Sequence, residues 1–554
     1  MLTLKSTKYY NSLDFSENKI KDKEDINSLN EKIQLEFSLQ NVKGECTYHI
    51  RAHLLNIKES GYISEKRKPT PNNNIIFDKF YICDYFFEKE QKIQITIYRN
   101  NSKISLETTL GCIVGSRFCT FARKYDENEI LMIKASKIGK GDKSLNIQFS
   151  LKLNGKNSDY FRNNNNKLIY EISCKGHKIY SSESINNYGD FQNVKIPICL
   201  LNPFFTISLY NSYNQLIGNL NKNVNEIKPN NNNIILKIPI SNNNYLFLYE
   251  SLNIIENYTF LDFITSGVRI GLSIGIDFTG SNGHPLDEGT LHSVKGQMPS
   301  DYERAIRACG NIVAYYDYDQ LFPVFGFGAI INSSPIKEAS MCFNLNFQEN
   351  PDIYTVENII KCYHDCISQD KLTFAGPTKF APLINTIISK IQNNKLEYHI
   401  LMILTDGVID DLQETIDALV EGSFLPLSVI IIGIGNADFK KMEVLDGDDV
   451  PLVSSKGVKR MRDLVQFVPF NRYENDEHKL SMEVLEEIPR QIVDYYTINN
   501  LDPNKIKESL SKNNINGSQD LYPHFDLENA EFNWDNVPMA ESIMLPDGYN
   551  DLNK

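Results

Sequence analysis

The run "VRIGLSIGIDFTGSNG", Val268 to Gly283, decides how the C-terminal half of this chain folds. Its first part is apolar or small at nearly every position. That is the pattern of a strand buried on both faces rather than of one with a wet side. Four further runs, "VFGFG", "YHILMILT", "LSVIIIGIG" and "LVQFV", repeat the pattern downstream. Between the strands fall amphipathic stretches near 301–316, 353–368, 380–393, 409–420 and 479–496. Strands alternating with helices predict an α/β doubly wound, Rossmann-like domain over residues 255–500, with a mainly parallel sheet.

At the end of the first strand stand Asp277, Thr279 and Ser281, at every second position. In extended backbone these three point to one side, and Phe278 and Gly280 to the other. Thr378, in "FAGPTKFAP", follows a Gly-Pro turn, and Asp406, in "LMILTDGVI", ends another apolar strand. Ligands of open α/β sheets gather outside the carboxyl ends of the strands, so these loops are expected to share one crevice. Oxygen donors without thiolates or imidazoles select a hard cation, Mg²⁺ or Mn²⁺. Two carboxylates and three hydroxyls leave such an ion incompletely neutralised, and its open position then attracts a carboxylate from another molecule. Taken alone, D-x-T-x-S also reads as an Asx or Ser/Thr turn capping the next helix.

Residues 30–250 have a different texture. "KIQLEFSLQ", "CTYHIRAHLL", "KFYICDYFF" and "KIQITIYR", then "SLNIQFSLKL", "NKLIYEISC", "NVKIPICL", "FFTISLYNS" and "NIILKIPI", are short β runs between polar loops. They predict two all-β sandwiches of about a hundred residues each, at 29–140 and 141–250. The first is expected to end near "TLGCIVGS", and "QLIGNL" in the second suggests a weak internal repeat. Residues 1–28 read as an N-terminal extension. Residues 501–554 read as an acidic tail, with a partner-docking motif around "FNWDN" as the alternative.

The 554 residues suit roughly three to four domains. A net charge of −13 argues against a nucleic-acid partner, since phosphate binding needs a basic face. No apolar run reaches membrane-spanning length, and the N-terminus shows neither a signal h-region nor a myristoylation glycine. The expected location is cytoplasmic or peripheral at a cytosol-facing membrane such as the plasma membrane. Ten cysteines spread along the chain, with no CxxC pair, suit reduced core thiols. The tightest group, Cys362, His364 and Cys366, puts its two thiols one turn apart on a helix face, and buried thiols are the preferred reading over a metal site.

The motifs "GIDFTGSNG", "GTLHSV", "LFPVFGFGA", "FNLNF", "GPTKFAP", "LMILTDGVIDD", "VIIIGIGNADFKKMEVLDGDD", "VQFVPF" and "VLEEIPRQIVDYY" occur in this order. Together they resemble the copine version of the von Willebrand factor A domain. "KFYICDYFFEKEQKIQITIY" and "TLGCIVGS" resemble the first of the two C2 domains of copines, and the second module resembles the other by position and strand pattern. The resemblance implies a protein that reaches membranes when calcium rises and holds protein partners through its A domain. It also implies a metal-ion-dependent adhesion site at Asp277, Thr279, Ser281, Thr378 and Asp406.

The sandwiches depart from that family pattern. Ca²⁺ wants six to eight oxygens, yet the first module offers Glu45 in one loop and "YRNN", Tyr98 to Asn101, in the other, with Arg99 at an aspartate's place. In the second, Asn211 and Tyr213 stand where carboxylates are expected and Asp159 remains alone. Calcium-driven binding of anionic phospholipids is therefore expected to be lost or much weakened. This leaves structural or protein-binding sandwiches, or lipid binding in which a cation such as Arg99 serves instead. "KRK" at Lys66–Lys68 and "DGDD" at Asp446–Asp449 read as solvated loops, and His284 lacks a carboxylate partner or nucleophile in sequence.

An adaptor that captures acidic partners is the reading preferred over a purely cytosolic scaffold. It is also preferred over a Mg²⁺-dependent phosphoryl-transfer enzyme. Such an enzyme lacks here a GxxxxGK[ST] loop, the kinase signatures and a second aspartate two residues after Asp277. A ubiquitin-ligase role would need a RING module, for which the sequence has no motif.

Overall fold

The computed structural model describes residues 31–513 except 43, 45, 56–60, 101, 139–142, 155–166, 187–188, 193, 202, 212, 228–232, 242–243, 294, 296–298, 318–319, 369–370, 393–395, 408, 448–449 and 474–475. Glu45, Asn101, Asp159, "FNWDN" and the expected N-terminal extension lie outside the described residues. Two compact units emerge: residues 31–138 join those from Thr259 onward, and residues 143–258 form the other.

In the first unit, Glu31–Gln40 pairs on one side with Glu129–Lys137, which in turn pairs with Thr120–Asp126. On its other side it pairs with Ile75–Ile76 and Tyr81–Tyr85. A second antiparallel sheet has the order Tyr62–Ile63, Tyr48–Leu54, Lys92–Arg99, Ser102–Thr109. Alternation puts Ile33, Leu35, Phe37 and Leu39 of one sheet, and Ile93, Ile95 and Ile97 of the other, inside. Phe37 stacks on Tyr62 at 5.0 Å between ring centroids, joining the two inner faces.

Residues 143–258 follow the same plan. Lys143–Asn154 is flanked by Asn244–Glu256 on one side and by Gly189–Asp190 and Val194–Pro197 on the other. Lys167–Cys174 and Phe204–Asn211 form the centre of the second sheet, between His177–Ser181 and Leu216–Asn223. Ile147, Phe149, Tyr170, Phe191 and Ile207 meet in one core. A repeat therefore exists at the level of strand order, but the expected sequence echo does not mark it. "TLGCIVGS" runs from the end of a strand into helix α1 (Leu110–Gly115), with two more strands still to come, whereas "QLIGNL" lies at the start of Leu216–Asn223.

Among the described residues the α/β part has five parallel strands: β1 (Arg269–Asp277), β2 (Leu321–Phe327), β3 (Glu397–Thr405), β4 (Leu427–Gly433) and β5 (Val465–Pro469). Their spatial order is β2-β1-β3-β4-β5. Phe343–Asn344 and Asp352–Tyr354 pair antiparallel with β2. In this order the connections reverse between β1 and β3, the place where a crevice opens.

The helices are α2 (Phe260–Thr265), α3 (Asp301–Val313), α4 (Val356–Ser368), α5 (Ala381–Ile391), α6 (Leu412–Gly422), α7 (Lys440–Asp446), α8 (Glu477–Leu485), α9 (Ile488–Ile498) and α10 (Pro503–Asn513). Leu383 and Ile387 of α5 and Leu419 of α6 pack on Leu401, Ile403, Val429 and Ile431. Two helical expectations need correction. The stretch 353–368 opens as an edge strand, and 479–496 is two helices, the second with Pro489 in its first turn. A proline lacks the N–H that a continuous helix would need there. The expected tail also begins as α10, whose Ile506 is buried.

The first sandwich is seated directly on the α/β part. A Cβ on Gly115 of α1 would lie 1.9 Å from the Tyr315 carbonyl oxygen, and one on Gly111 would lie 2.8 Å from its ring, so only glycines permit this approach. The Tyr85 and Tyr316 hydroxyls hydrogen-bond to each other, and Tyr315 donates to Glu90 at 3.1 Å. Lys137 Nζ donates to Asp262 at 2.7 Å, and the Thr259 hydroxyl to Glu31 at 2.7 Å.

Candidate metal centre

Asp277 ends β1 and Asp406 directly follows β3, so the parallel register brings two acids to the crevice edge. Backbone extension stops at Thr279, and Gly280–Asn282 form a 3₁₀ turn, so turn geometry rather than strand alternation gathers the hydroxyls. Asp277 Oδ1 accepts from the Thr279 N–H at 2.9 Å and from its hydroxyl at 2.7 Å, while Oδ2 accepts from the Thr405 hydroxyl at 2.7 Å. The Asx turn is thus present. It does not exclude a cation, because a hydroxyl that donates its proton keeps lone pairs to offer.

Thr279 Oγ1 lies 3.1 Å from Ser281 Oγ, and Ser281 stands near enough to Asp406 to lower its pKa against burial. Hydrogen bonds thus join three of the five expected residues, Asp277, Thr279 and Ser281, with Asp406 beside them. Thr378 sits on the adjoining loop, where Gly280 N–H donates to Ala375 O at 2.7 Å. Its backbone N–H donates to Asp410 at 2.9 Å, and its side chain is buried.

Asp277 is fully buried and Asp406 nearly so. Burial pushes Asp277 up to about 7, the neighbouring Asp406 charge adds to this, and the bonds from Thr279 and Thr405 oppose it. Burial also raises Asp406, against the effect of Ser281. Asp406 Oδ1 is buried with no hydrogen-bond partner. A pair of buried acids, one oxygen still unsatisfied, beside three hydroxyls fits a hard divalent cation well. Among the described residues no three His, Cys, Asp or Glu side chains gather as ligands, so a softer site of that kind is not offered.

Several residues that hold the site were not singled out from sequence. Gly328 has φ +81°, and a Cβ there would strike Thr279 Cγ2 at 2.3 Å. His292 donates from Nε2 to the Asp277 carbonyl at 2.8 Å, which leaves Nδ1 to accept from Tyr363 at 2.8 Å. Burial lowers its pKa to about 3, so the ring is neutral. Asn282 accepts from Tyr302 at 2.7 Å and donates to Thr279 O. Asp411 accepts from the Phe380 and Ala381 N–H groups at the start of α5, where a carboxylate complements the helix dipole. The acids of "VIDD" were the one available signal.

Arg99 Nη1 reaches Glu129 Oε1 at 3.1 Å and Asp126 Oδ2 at 3.4 Å, with Glu129 buried. It is an internal counter-ion rather than a charge offered to lipid. Its acids come from the turn between the last two strands of the sandwich, far in sequence from the loops expected to carry calcium ligands. Asn211 builds a turn by accepting from Tyr213 and Gln215 N–H, and Tyr213 is exposed. In "KRK", Arg67 pairs with Glu65 and Asp78. Asp446 ends α7, and its carbonyl accepts from Arg460 at 2.9 Å. His284 is exposed and accepts from Leu286 N–H. His364 turns to Glu303 at 2.8 Å, away from the thiols.

The family model described as Copine matches residues 290–504. Among solved structures, the chain is 11% identical to Extended-Synaptotagmin 2 in a form that holds its SMP domain and its two C2 domains, with a TM-score of 0.17 over 41% of this chain and 57% of that one. It is 12% identical to the manganese-loaded TRAP protein of Plasmodium vivax, with a TM-score of 0.24 over 37% of this chain and 70% of that one. For proximal thread matrix protein 1 from the mussel byssus, with a zinc-occupied MIDAS motif, the values are 13%, 0.25, 40% and 46%. At TM-scores this low none of the three likenesses bears on fold or function. Residues 290–504 are thus similar to the copine family. That stretch includes Thr378 and Asp406 and begins just past the loop of Asp277, Thr279 and Ser281.

Proposed function

We propose that this chain is a copine-like adaptor that captures protein partners through a divalent cation, Mg²⁺ or Mn²⁺, held by Asp277, Thr279, Ser281, Thr378 and Asp406. The observation that carries the reading is the buried Asp277–Asp406 pair beside the hydroxyl cluster, with Asp406 Oδ1 unsatisfied. When bound, the ion supplies Lewis acidity toward an acidic side chain of the partner. The chain's own residues set the rest: the Thr279 and Ser281 hydroxyls and Thr378 offer neutral oxygens, while the two aspartates compensate charge from behind them. Asp410 and Asp411 pin the loop that carries Thr378.

The two sandwiches are proposed as C2-like modules that act without calcium, either as peripheral membrane contacts or as protein-binding surfaces. The Arg99–Glu129–Asp126 cluster supports this, since a guanidinium already neutralises those acids. No helix among the described residues is long and apolar enough to cross a membrane. The test is a pull-down with the full chain in Mg²⁺ and in EDTA, comparing wild type with Asp277→Ala. Loss of the same partners on chelation and on mutation supports the assignment, and an unchanged partner set in both arms refutes it.

A further inference from the structure

A cavity of about 190 Å³ opens at the amino-terminal edge of the parallel sheet, at the opposite end of β1 from Asp277. It exists because β1 and β2 start out of step. Their ladder begins only at Ile274 and Val324, while Leu321 to Pro323 pair with the edge strand instead. In the gap the Leu272 N–H donates to Asp317 at 3.4 Å, and Asp317 also accepts from the Gln320 N–H at 3.0 Å. On the β3 side, register sets Glu397 beside Arg269 and His399 beside Gly271. What the missing Gly271 side chain leaves is space: a Cβ there would lie 2.7 Å from Glu397 Oε1 and 3.0 Å from His399 Nδ1. His399 is only 7% exposed. Its Nε2 is held by the Ser273 hydroxyl at 2.8 Å, whereas Nδ1 has no hydrogen-bond partner among the described residues, with Glu397 Oε1 standing off at 3.9 Å. Ser273 is fully buried, which excludes a nucleophilic role for the Ser273 and His399 pair. A buried ring nitrogen that faces a cavity without a bond costs free energy until a donor arrives.

The lining sets Asp317, Asp352 and Glu397 against Arg269, whose Nη2 lies 3.8 Å from Glu397 Oε2, and so carries a net negative charge. We propose that this cavity binds an alkylammonium or alkylguanidinium group, of the kind that a lysine or arginine side chain or a free amine carries, with an N–H donated to His399 Nδ1 and the charge answered by Glu397 and Asp352. Leu321 and Pro323 give the methylenes an apolar wall. A metal ion suits the cavity less well, because among the described residues no three His, Cys, Asp or Glu side chains gather as ligands. An organic cation instead spreads its N–H donors over separated acceptors. For Nδ1 to accept, Nε2 carries the proton and donates to Ser273, so the buried hydroxyl fixes the tautomer that the ligand needs. The site shares no residue with the metal centre and does not depend on it.

The full chain, labelled with ¹³C at histidine Cε1, is titrated with n-butylamine in EDTA at constant ionic strength and about pH 7, where the amine is an ammonium ion. Of the nine histidines, the resonance that His399→Gln removes should shift saturably. n-Butylguanidine should act alike, and tetramethylammonium, a cation without an N–H, should leave that resonance in place. Glu397→Gln with Asp352→Asn should weaken n-butylamine binding by about tenfold or more, as expected for the loss of a charge-assisted hydrogen bond. Nα-acetyl-lysine N-methylamide separates the two sources: binding at least as tight as that of n-butylamine assigns the site to a protein side chain, and weaker binding assigns it to a free amine. A His399 resonance that stays still, that moves equally with tetramethylammonium, or that responds unchanged in the double variant would overturn the proposal.

Discussion

At Asp277 burial and the proposed metal-binding role pull in opposite directions. A carboxylate taken from water prefers to be protonated, and Asp406 nearby reinforces that preference, yet a hard cation needs the acid ionised. Asp406→Asn removes one of the two charges. Its thermal midpoint in EDTA should exceed that of wild type, and it should lose the magnesium-dependent rise, which amounts to about 2.7 kcal/mol at a hundredfold excess over Kd. Arg99 shows the same logic with its own cation. Arg99→Ala leaves Glu129 buried without its guanidinium, at a cost on the order of 2 kcal/mol. The cost stays below that of a fully buried pair because the Arg99 side chain is 33% exposed. Arg99→Asp should gain a calcium-dependent rise in stability that wild type lacks, as read by thermal shift with and without Ca²⁺. Asp277, Thr279 and Ser281 were legible because they stand at a strand end in a short, oxygen-only pattern. Thr405 and His292 were not, since a threonine at the end of an apolar strand and a lone histidine in a loop carry no spacing signal. Only the tertiary fold brings them to Asp277.

At the scale of elements, largely apolar runs revealed the parallel strands, because burial on both faces of the central ones favours that composition. Helix boundaries were less legible. The break between α8 and α9 depends on one proline within a strong apolar pattern, and the edge strand Asp352–Tyr354 is too short to show a period. Helix α1 was hidden for another reason. "LGCIVG" reads as the end of a strand by propensity, and its two glycines acquire meaning only through the Tyr315 backbone and ring they approach. Gly115→Ala should therefore lower the urea midpoint by the equivalent of about 1–3 kcal/mol, the usual cost of forcing a methyl into a filled contact. An unchanged midpoint would mean that α1 does not bear on Tyr315 in solution.

For the whole molecule, the first sandwich and the α/β part form one unit, although residues 143–258 intervene in the chain. Length and texture predicted modules but not this grouping, because the contacts that make it are single side chains scattered through both parts. Glu31 is one of them. Burial raises its pKa above the ordinary value, against the bond from Thr259, the nearby Lys137 charge and the Leu261 N–H. An acid raised on folding contributes stability below its unfolded value of about 4.5 that is lost as pH rises through the folded value. The midpoint difference between Glu31→Gln and wild type should thus grow in the variant's favour from pH 4 toward pH 8, and a difference flat with pH would contradict it. Crystals of the full chain grown in Mn²⁺, measured at the manganese absorption edge, should show an anomalous peak among Asp277, Thr279, Ser281, Thr378 and Asp406. No peak there, with the Asp277 and Thr279 hydrogen bond intact and manganese bound elsewhere, would contradict the account.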